Sequence, residues 1–438
     1  MTLMDTLKST YLDGLLHGQR EISAAPVSWL NALRAEALER ANALTTPTTK
    51  DEDWRFTDLS PLYKTVLRPS SQPAEAAASV IEPWLIPEAG SRLVFVDGVF
   101  ASHLSVVGPE DGVVVSPLAV ALARHGERMQ AQLARVVASS VDPFSAVNTA
   151  WLRDGAVVLV DASRDVTHPI HLLFVSASPG VAAYPRTLVV AGSGSRCTVI
   201  EDFRSLHQDV SLTNAVTEIA VGENAGMRHL RLQSESASAF HIATCGVRAA
   251  RDSRYSNVSV SLGARISRYN LNVTQTAEST DFEIDGLALI SGRQLADTHS
   301  LLDHAHPHGR SRQLHKCIAG GAAHAVFNGK ILVRPGAQRT NSAQESRNLL
   351  LSDRAHVDTK PQLEIFADDV KCAHGATVGQ LDAEQIFYLK SRGLSEPTAR
   401  DLLTFAFSAE IVERIGLPSV VKSLEDAVLS RTQNKDAR

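Results

Sequence analysis

Apolar positions along the chain fall into three regimes, and each predicts a different kind of structure. From residue 1 to about 65 they recur at three- and four-residue steps. Leu30, Leu33, Ala37 and Leu38 follow Pro26 and Ser28, a helical stripe behind a start signal. Residues 66–92, with Pro69, Pro73 and Pro83 among many Ser and Ala, read as connection. From about 92 to 378 the pattern changes to short strand-like runs: Leu93–Val96, Val157–Val160, Thr198–Phe203, Val216–Val221, Asn257–Leu262, Phe282–Leu289, Ile331–Val333 and Leu363–Phe366. Several neighbours lie roughly 12 to 18 residues apart, a spacing that suits hairpins of a sandwich or rungs of a solenoid. A β segment of this length, with few helical periods and no long helix expected in it, would overfill two ordinary sheets. A β-helix grows by adding rungs and needs caps at its ends, so it fits better than a large sandwich or a double-stranded β-helix, although no strict repeat decides the matter.

After residue 381 the helical period returns with clear punctuation. Asp382 and Gln385 suit an N-cap and its capping partner, and Gly393 suits the left-handed residue past the helix end. A second helix is expected after Ser395 and Pro397, with Leu403, Phe407, Ile411 and Ile415 as its stripe and Gly416 and Pro418 as its stop. A third, around Val420–Leu429, precedes a polar tail expected to be disordered. The expected organisation is an N-terminal helical part with its connection (1–91), a β-rich core (92–380) and a C-terminal helical part (381–438).

Composition narrows the function classes. The 438 residues can form a large core, while a formal net charge of −5 and no long Lys/Arg run argue against nucleic-acid binding through phosphates. The opening Met1–Lys8 lacks the basic-then-apolar order of a secretion signal, and no apolar run nears the roughly 20 residues that span a bilayer. A cytoplasmic protein without membrane attachment is expected. The four cysteines, 197, 245, 317 and 372, include no closely spaced pair, so neither a zinc knuckle nor a ferredoxin-type site is encoded locally, and disulfides are not expected. Cys197 and Cys245 lie in apolar runs and read as small buried hydrophobes.

Several familiar chemistries fail on their spacing. Gly329-Lys330 lacks the rest of a phosphate loop, since His324 and Ile331 stand where that motif needs glycine and a hydroxyl residue, so the chain is not expected to bind nucleotide or hydrolyse ATP. Gly192-Ser193-Gly194 has neither a third glycine nor a following helix and reads as a turn. Asp368 and Asp369 invite a polysaccharide-active reading, but adjacent strand residues point to opposite faces, and six Tyr and four Trp offer few sugar-stacking platforms. The histidines at 299, 304, 306, 308, 315 and 324, with Cys317 among them, have no spacing that implies coordination. They read first as loop or interface histidines.

The stretch 371–393 is the most informative. Cys372 and His374 are two apart, so on a strand they share one face and offer a soft sulfur beside a borderline nitrogen. Two ligands do not complete a site, because iron and zinc usually take about four. The remainder must come from elsewhere in this chain or from a second one.

These residues, with others in order, resemble the SufB/SufD family of iron–sulfur cluster assembly proteins, and SufD more than SufB. The resemblance covers most of 280–415. It is carried by Asp303-His304 with Pro307-His308, Ser311, Gln313 and Lys316; by Phe327-Asn328-Gly329-Lys330-Ile331; by Gln344 with Asn348-Leu349-Leu350-Leu351-Ser352; by Pro361–Ile365; by Asp368–Thr377; and by Gln385–Leu389 with Ser391-Arg392-Gly393. Asp51–Thr57 resembles the SufD amino-terminal region, and 95–280 matches only in general character. Gly375 after the histidine, where SufB-like chains carry Glu, and the absence of cysteine before 197 favour SufD.

The resemblance implies a mainly β protein, a right-handed parallel β-helix core flanked by N-terminal and C-terminal helical domains. It implies a non-catalytic scaffold that pairs with a SufB-like paralogue through the β-helix, and a homodimer is conceivable in isolation. ATP hydrolysis would fall to a SufC-like ABC ATPase bound through the C-terminal helices, with Gln385, Phe387, Tyr388, Arg392 and Gly393 as contact residues. Transient iron or a nascent iron–sulfur cluster would be shared with the partner, with His374 the main metal ligand and Cys372 the secondary one. A purely structural partner subunit without a metal role is the main alternative, and a polysaccharide-active enzyme a remote one.

Overall fold

A computed structural model describes residues 11–433 apart from 12, 13, 17, 20, 21, 71–73 and 138–141. Met1–Lys8, Pro73 and the end of the polar tail therefore lie outside the described residues. The body is a parallel β-solenoid of about eight turns with helices at both ends. Successive strands alternate between two sheets, so each long strand pairs in parallel with the strand two places along. Arg310 thus stands beside Asn341, and Asn341 beside Lys371, a rung of roughly 30 residues.

Each expected strand run falls on an observed strand, with Leu262 and Phe366 one residue past the strand end, but the strands are longer and more numerous than the apolar runs. Gly226–Ser234, Ile266–Gln275, Leu295–His304, Arg310–Ala319 and Asn341–Leu350 carry too many polar residues to read as apolar runs. Those polar side chains alternate between solvent and a partly polar interior.

That interior changes character along its length. Near the N-terminal end Phe95, Phe174 and Phe203 are register partners in the same sheet, with ring centroids 5.2 and 4.9 Å apart. In-register rings stack because neighbouring parallel strands lie about 4.8 Å apart, and each such pair adds about 1 kcal/mol beyond its buried area. Toward the C-terminal end the interior columns become polar. Cys197, Met227, Tyr255, Phe282, Ser311, Ser342 and Cys372 form one column, and Val199, His229, Asn257, Ile284, Gln313, Gln344 and His374 form the next.

The N-terminal end is closed. Val113–Pro117 and Val99–Phe100 end the sheets as antiparallel strands, and Phe100, Val113 and Val115 pack on the interior core. Helix Ser28–Ala43 buries Leu30 and Ala37 of the expected stripe together with Arg34 and Ala41, while Leu33 and Leu38 are only partly buried. Among the described residues, two α-helices unforeseen from the sequence stand inside the β-rich segment. Leu118–Gln130 runs straight on from a strand, and Pro143–Ala150 is capped by Asp142. The first carries a helical stripe of Leu118, Ala121, Leu122 and Met129 but is kinked at His125, which leaves two short pieces; Leu30 and the strand residues Val157, Leu159 and Leu188 pack on that stripe. The segment Asp51–Thr57 packs on the solenoid: Trp54 is buried, and the Arg268 guanidinium lies 4.4 Å above its ring.

At the other end, helices Ala383–Ser391, Glu396–Val412 and Pro418–Gln433 follow the expected punctuation. Asp382 and Ser395 cap the first two through backbone N–H groups of Glu384 and Thr398, and Gly393 and Gly416 take left-handed conformations. Gln385 makes no reciprocal capping bond. Ile411, Val412 and Ile415 cover Leu314, Ile318 and Leu349 on the outer face of one sheet.

Candidate metal and partner surface at the open end

The last rung consists of His356–Ile365 in one sheet and Lys371–Gln380 in the other, and each is the terminal strand of its sheet. Their outward edges carry no partner strand among the described residues. The lack of a covering rung explains why no residue of either strand is buried, whereas the rung beneath buries Ser342, Gln344, Ser346 and Asn348. Exposed Ile365, Phe366 and Val378 add apolar surface here. Unpaired edges with an apolar surface are a ready template for another chain.

Cys372 and His374 lie on the strand Lys371–Gln380, and both register positions face the solenoid interior, above Ser342 and Gln344. Cys372 is half-buried against the interior core, while His374 is exposed. Beneath each lies a chain of hydrogen bonds. Gln344 Nε2 donates to Gln313 Oε1 at 2.8 Å, and Gln313 Nε2 donates to Ser300 Oγ at 2.8 Å. In the neighbouring column His304 Nε2 lies 2.9 Å from Ser311 Oγ, which lies 2.5 Å from Ser342 Oγ. Thr359 Oγ1 from the opposite terminal strand donates to Ser346 Oγ at 3.1 Å, tying the two sheets together at this mouth.

The polar layer leaves acceptor capacity at the mouth. Gln344 Oε1 and Asn348 Oδ1 are buried without a partner among the described residues. Gly329 makes room for the Gln344 side chain, because a Cβ there would stand 2.3 Å from Gln344 Nε2. Sequence reasoning gave Ser311, Gln313, Gln344 and Gly329 no role. Their alignment under Cys372 and His374 depends on register across rungs, which no local pattern reveals.

Electrostatics separates the cysteines. Partial burial pushes the Cys372 thiol above its ordinary value, against a smaller opposing effect of a backbone hydrogen bond at Ser342. Complete burial pushes Cys197 and Cys317 up to about 12 and Cys245 higher still. Cys197, Cys245 and Cys317 are buried as small hydrophobes. Cys372 thus needs a nearby cation to become a thiolate ligand near neutral pH.

The histidine-rich stretch does not converge on one centre. His304 and His315 sit inside the solenoid, where burial lowers them to about 4 and about 3. His299 instead meets Asp297 on the outer face, and His324 meets residues of the last rung. Gly329-Lys330 lies within a strand and Gly192-Ser193-Gly194 in a turn. Asp368 and Asp369 stand between strands, where Arg339 approaches Asp369 at 3.8 Å.

The expected partner-contact residues cluster on Ala383–Ser391 and the turn after it. Phe387 and Tyr388 are 73% and 56% exposed, too much for core residues, and Arg392 lies 5.2 Å over the Tyr388 ring. Gln385, Tyr388, Leu389, Leu402, Leu403 and Ala406 line a groove between this helix and the next. The helices are fastened to the sheet that carries Cys372 and His374. Lys316 Nζ lies 2.6 Å from Glu410, Arg347 3.1 Å from the same carboxylate, and Arg414 2.7 Å from Asp285.

The architecture is thus a helix-capped parallel β-solenoid whose last rung bears inward-facing Cys and His beside an exposed helical surface. Comparison with known proteins gives the family. The SUF system FeS cluster assembly, SufBD core domain matches residues 174–407, and the SufBD protein N-terminal region matches 5–172. The chain belongs to the SufBD family and is SufD-like. It is 40% identical over 448 residues to an iron-sulfur cluster assembly SufBD family protein of Synechocystis sp., covering 98% of each chain. It is also 34% identical to the iron-sulfur cluster assembly protein SufD of Escherichia coli, covering 84% of this chain and 85% of that one. The chloroplastic protein ABCI7 of Arabidopsis thaliana is likewise 34% identical, over 90% of this chain and 84% of its own.

Proposed function

We propose that this chain is a SufD-like scaffold subunit of a SufBCD-type complex and contributes a metal-ligand surface where it meets a SufB-like paralogue. One observation carries the reading: both sheets end unpaired at the same mouth, and Cys372 and His374 face into that mouth from one terminal strand. A paralogue adding strands there would satisfy the open edges and bring further ligands to the two present here. The nascent cluster is the cargo of this surface. His374 is its main ligand through a neutral ring nitrogen, and Cys372 the secondary one, because its thiol is pushed up rather than down in the free chain.

A SufC-like ATPase would dock on the exposed face around Phe387, Tyr388 and Arg392. Only two residues separate the ligand strand, which ends at Gln380, from the helix beginning at Ala383. Movement of that helix would therefore act directly on the strand bearing the ligands.

Reconstitution with both partners tests the ligand assignment. His374→Ala is expected to assemble normally and to build clusters roughly tenfold or more slowly. Wild-type cluster formation by that variant would sink the assignment. If replacing Cys372 as well also had no effect, the chain would serve as a structural partner without a metal role.

A further inference from the structure

On the outer face of the opposite sheet, a second group of ligand-type side chains comes together at the last rung. His324 and His356 are register partners on adjacent parallel strands, with ring centroids 5.1 Å apart. Asp358, two residues beyond His356, projects to the same face. Its Oδ2 lies 2.7 Å from His324 Nε2 and 3.2 Å from His356 Nε2, and the three donor atoms all fall within 4.8 Å of one another.

Ligand atoms placed tetrahedrally about 2 Å from a zinc ion stand roughly 3.3 Å apart, so the three atoms need only small movements to surround a cation. The backbone beneath is fixed: His324 N–H donates to Gln294 O at 2.9 Å and His356 N–H to Ala323 O at 2.9 Å. Exposure is graded in a useful way. The His324 and Asp358 side chains are each 26% exposed and His356 66%, so the group is half-sunk with an approach from solvent.

We propose that His324, His356 and Asp358 form a binding site for a divalent first-row cation of the zinc or ferrous class, with water in the remaining position. Two imidazoles and one carboxylate suit such ions better than calcium or magnesium, which prefer all-oxygen shells. Each imidazole would bind through Nε2 with its proton on Nδ1, and the carboxylate offsets one positive charge. The site is separate from Cys372 and His374, which belong to the other sheet and face the interior. It does not depend on the scaffold reading. A bound ion would clip the terminal strand to its neighbour and stiffen the edge offered to another chain.

Titration of the isolated full-length chain with Co²⁺, followed by visible absorption, and with Zn²⁺, followed by calorimetry, tests the site. The wild type is expected to take up one equivalent, with cobalt bands lacking the sulfur-to-metal charge transfer that a thiolate would add. His356→Ala and Asp358→Asn are each expected to weaken binding about tenfold or more, with melting temperature without metal as the check on folding. The double variant Cys372→Ser/His374→Ala should retain the uptake. Unchanged affinity in His356→Ala and Asp358→Asn, loss only in the double variant, or no uptake by the wild type would each overturn the proposal.

Discussion

The two side chains at the mouth differ in how their surroundings prepare them. His374 is exposed and Cys372 half-buried, and its burial keeps the thiol protonated. Under native conditions one thiol, Cys372, is therefore expected to react with iodoacetamide, faster as pH rises. Cys197, Cys245 and Cys317 should react only after unfolding, which mass spectrometry of the labelled peptides would check. Inside the solenoid burial holds His304 and His315 neutral, lowering their pKa values to about 4 and about 3. An unfolded histidine takes up its proton near about 6.5, so the unfolded chain binds more protons between that pH and the folded values. Stability should accordingly fall as pH drops from about 6.5 toward 4, by on the order of 3 kcal/mol for His304 alone. Urea midpoints measured across that range should fall less in His304→Gln. Asp297 adds to acid sensitivity at lower pH. Burial by itself would raise it, but Arg268, His299 and Thr57 hold it well below the usual carboxylate range, so its contribution is present above about pH 4 and lost below.

At the scale of elements, the C-terminal helices combine a fixed face with a free one. Ile411, Val412 and Ile415 hold Glu396–Val412 to the sheet, while Phe387 and Tyr388 on the preceding helix face solvent. Phe387→Ala with Tyr388→Ala is expected to leave the melting temperature of the isolated chain within a few degrees of wild type. The same pair should abolish co-purification with a SufC-like ATPase, and retention of that partner would remove the docking face from these residues. Asp382→Ala should cost about 1 kcal/mol of local helix stability, visible as faster amide exchange in Ala383–Ser391. These helices were legible in the sequence because caps and stripes are local: Asp382, Ser395, Gly393 and Gly416 all do what their types suggest. Strands such as Arg310–Ala319 were not, since their polar side chains are buried only by rungs above and below. Leu118–Gln130 was missed for a different reason: its stripe of Leu118, Ala121, Leu122 and Met129 is local, but a kink at His125 splits it into two short pieces.

For the whole molecule, the asymmetry between its ends matters most. Antiparallel strands and helices close one end, while the other leaves two parallel sheets ending together with Ile365, Phe366 and Val378 exposed. The isolated chain is expected to self-associate weakly through this end. Phe366→Glu with Val378→Lys should shift it to monomer in sedimentation velocity and also block pairing with a SufB-like chain. By itself the sequence determined the mainly β body, the helical ends, the shared face of Cys372 and His374, and the family, because period, capping and motif order are properties of neighbouring residues. It did not reveal that Ser342 and Gln344 lie beneath those two side chains, that Gly329 makes room for Gln344, or that His324 meets His356 and Asp358. Those relations join residues half a rung to one rung apart, and their register is set by the packing of successive turns rather than by any local preference.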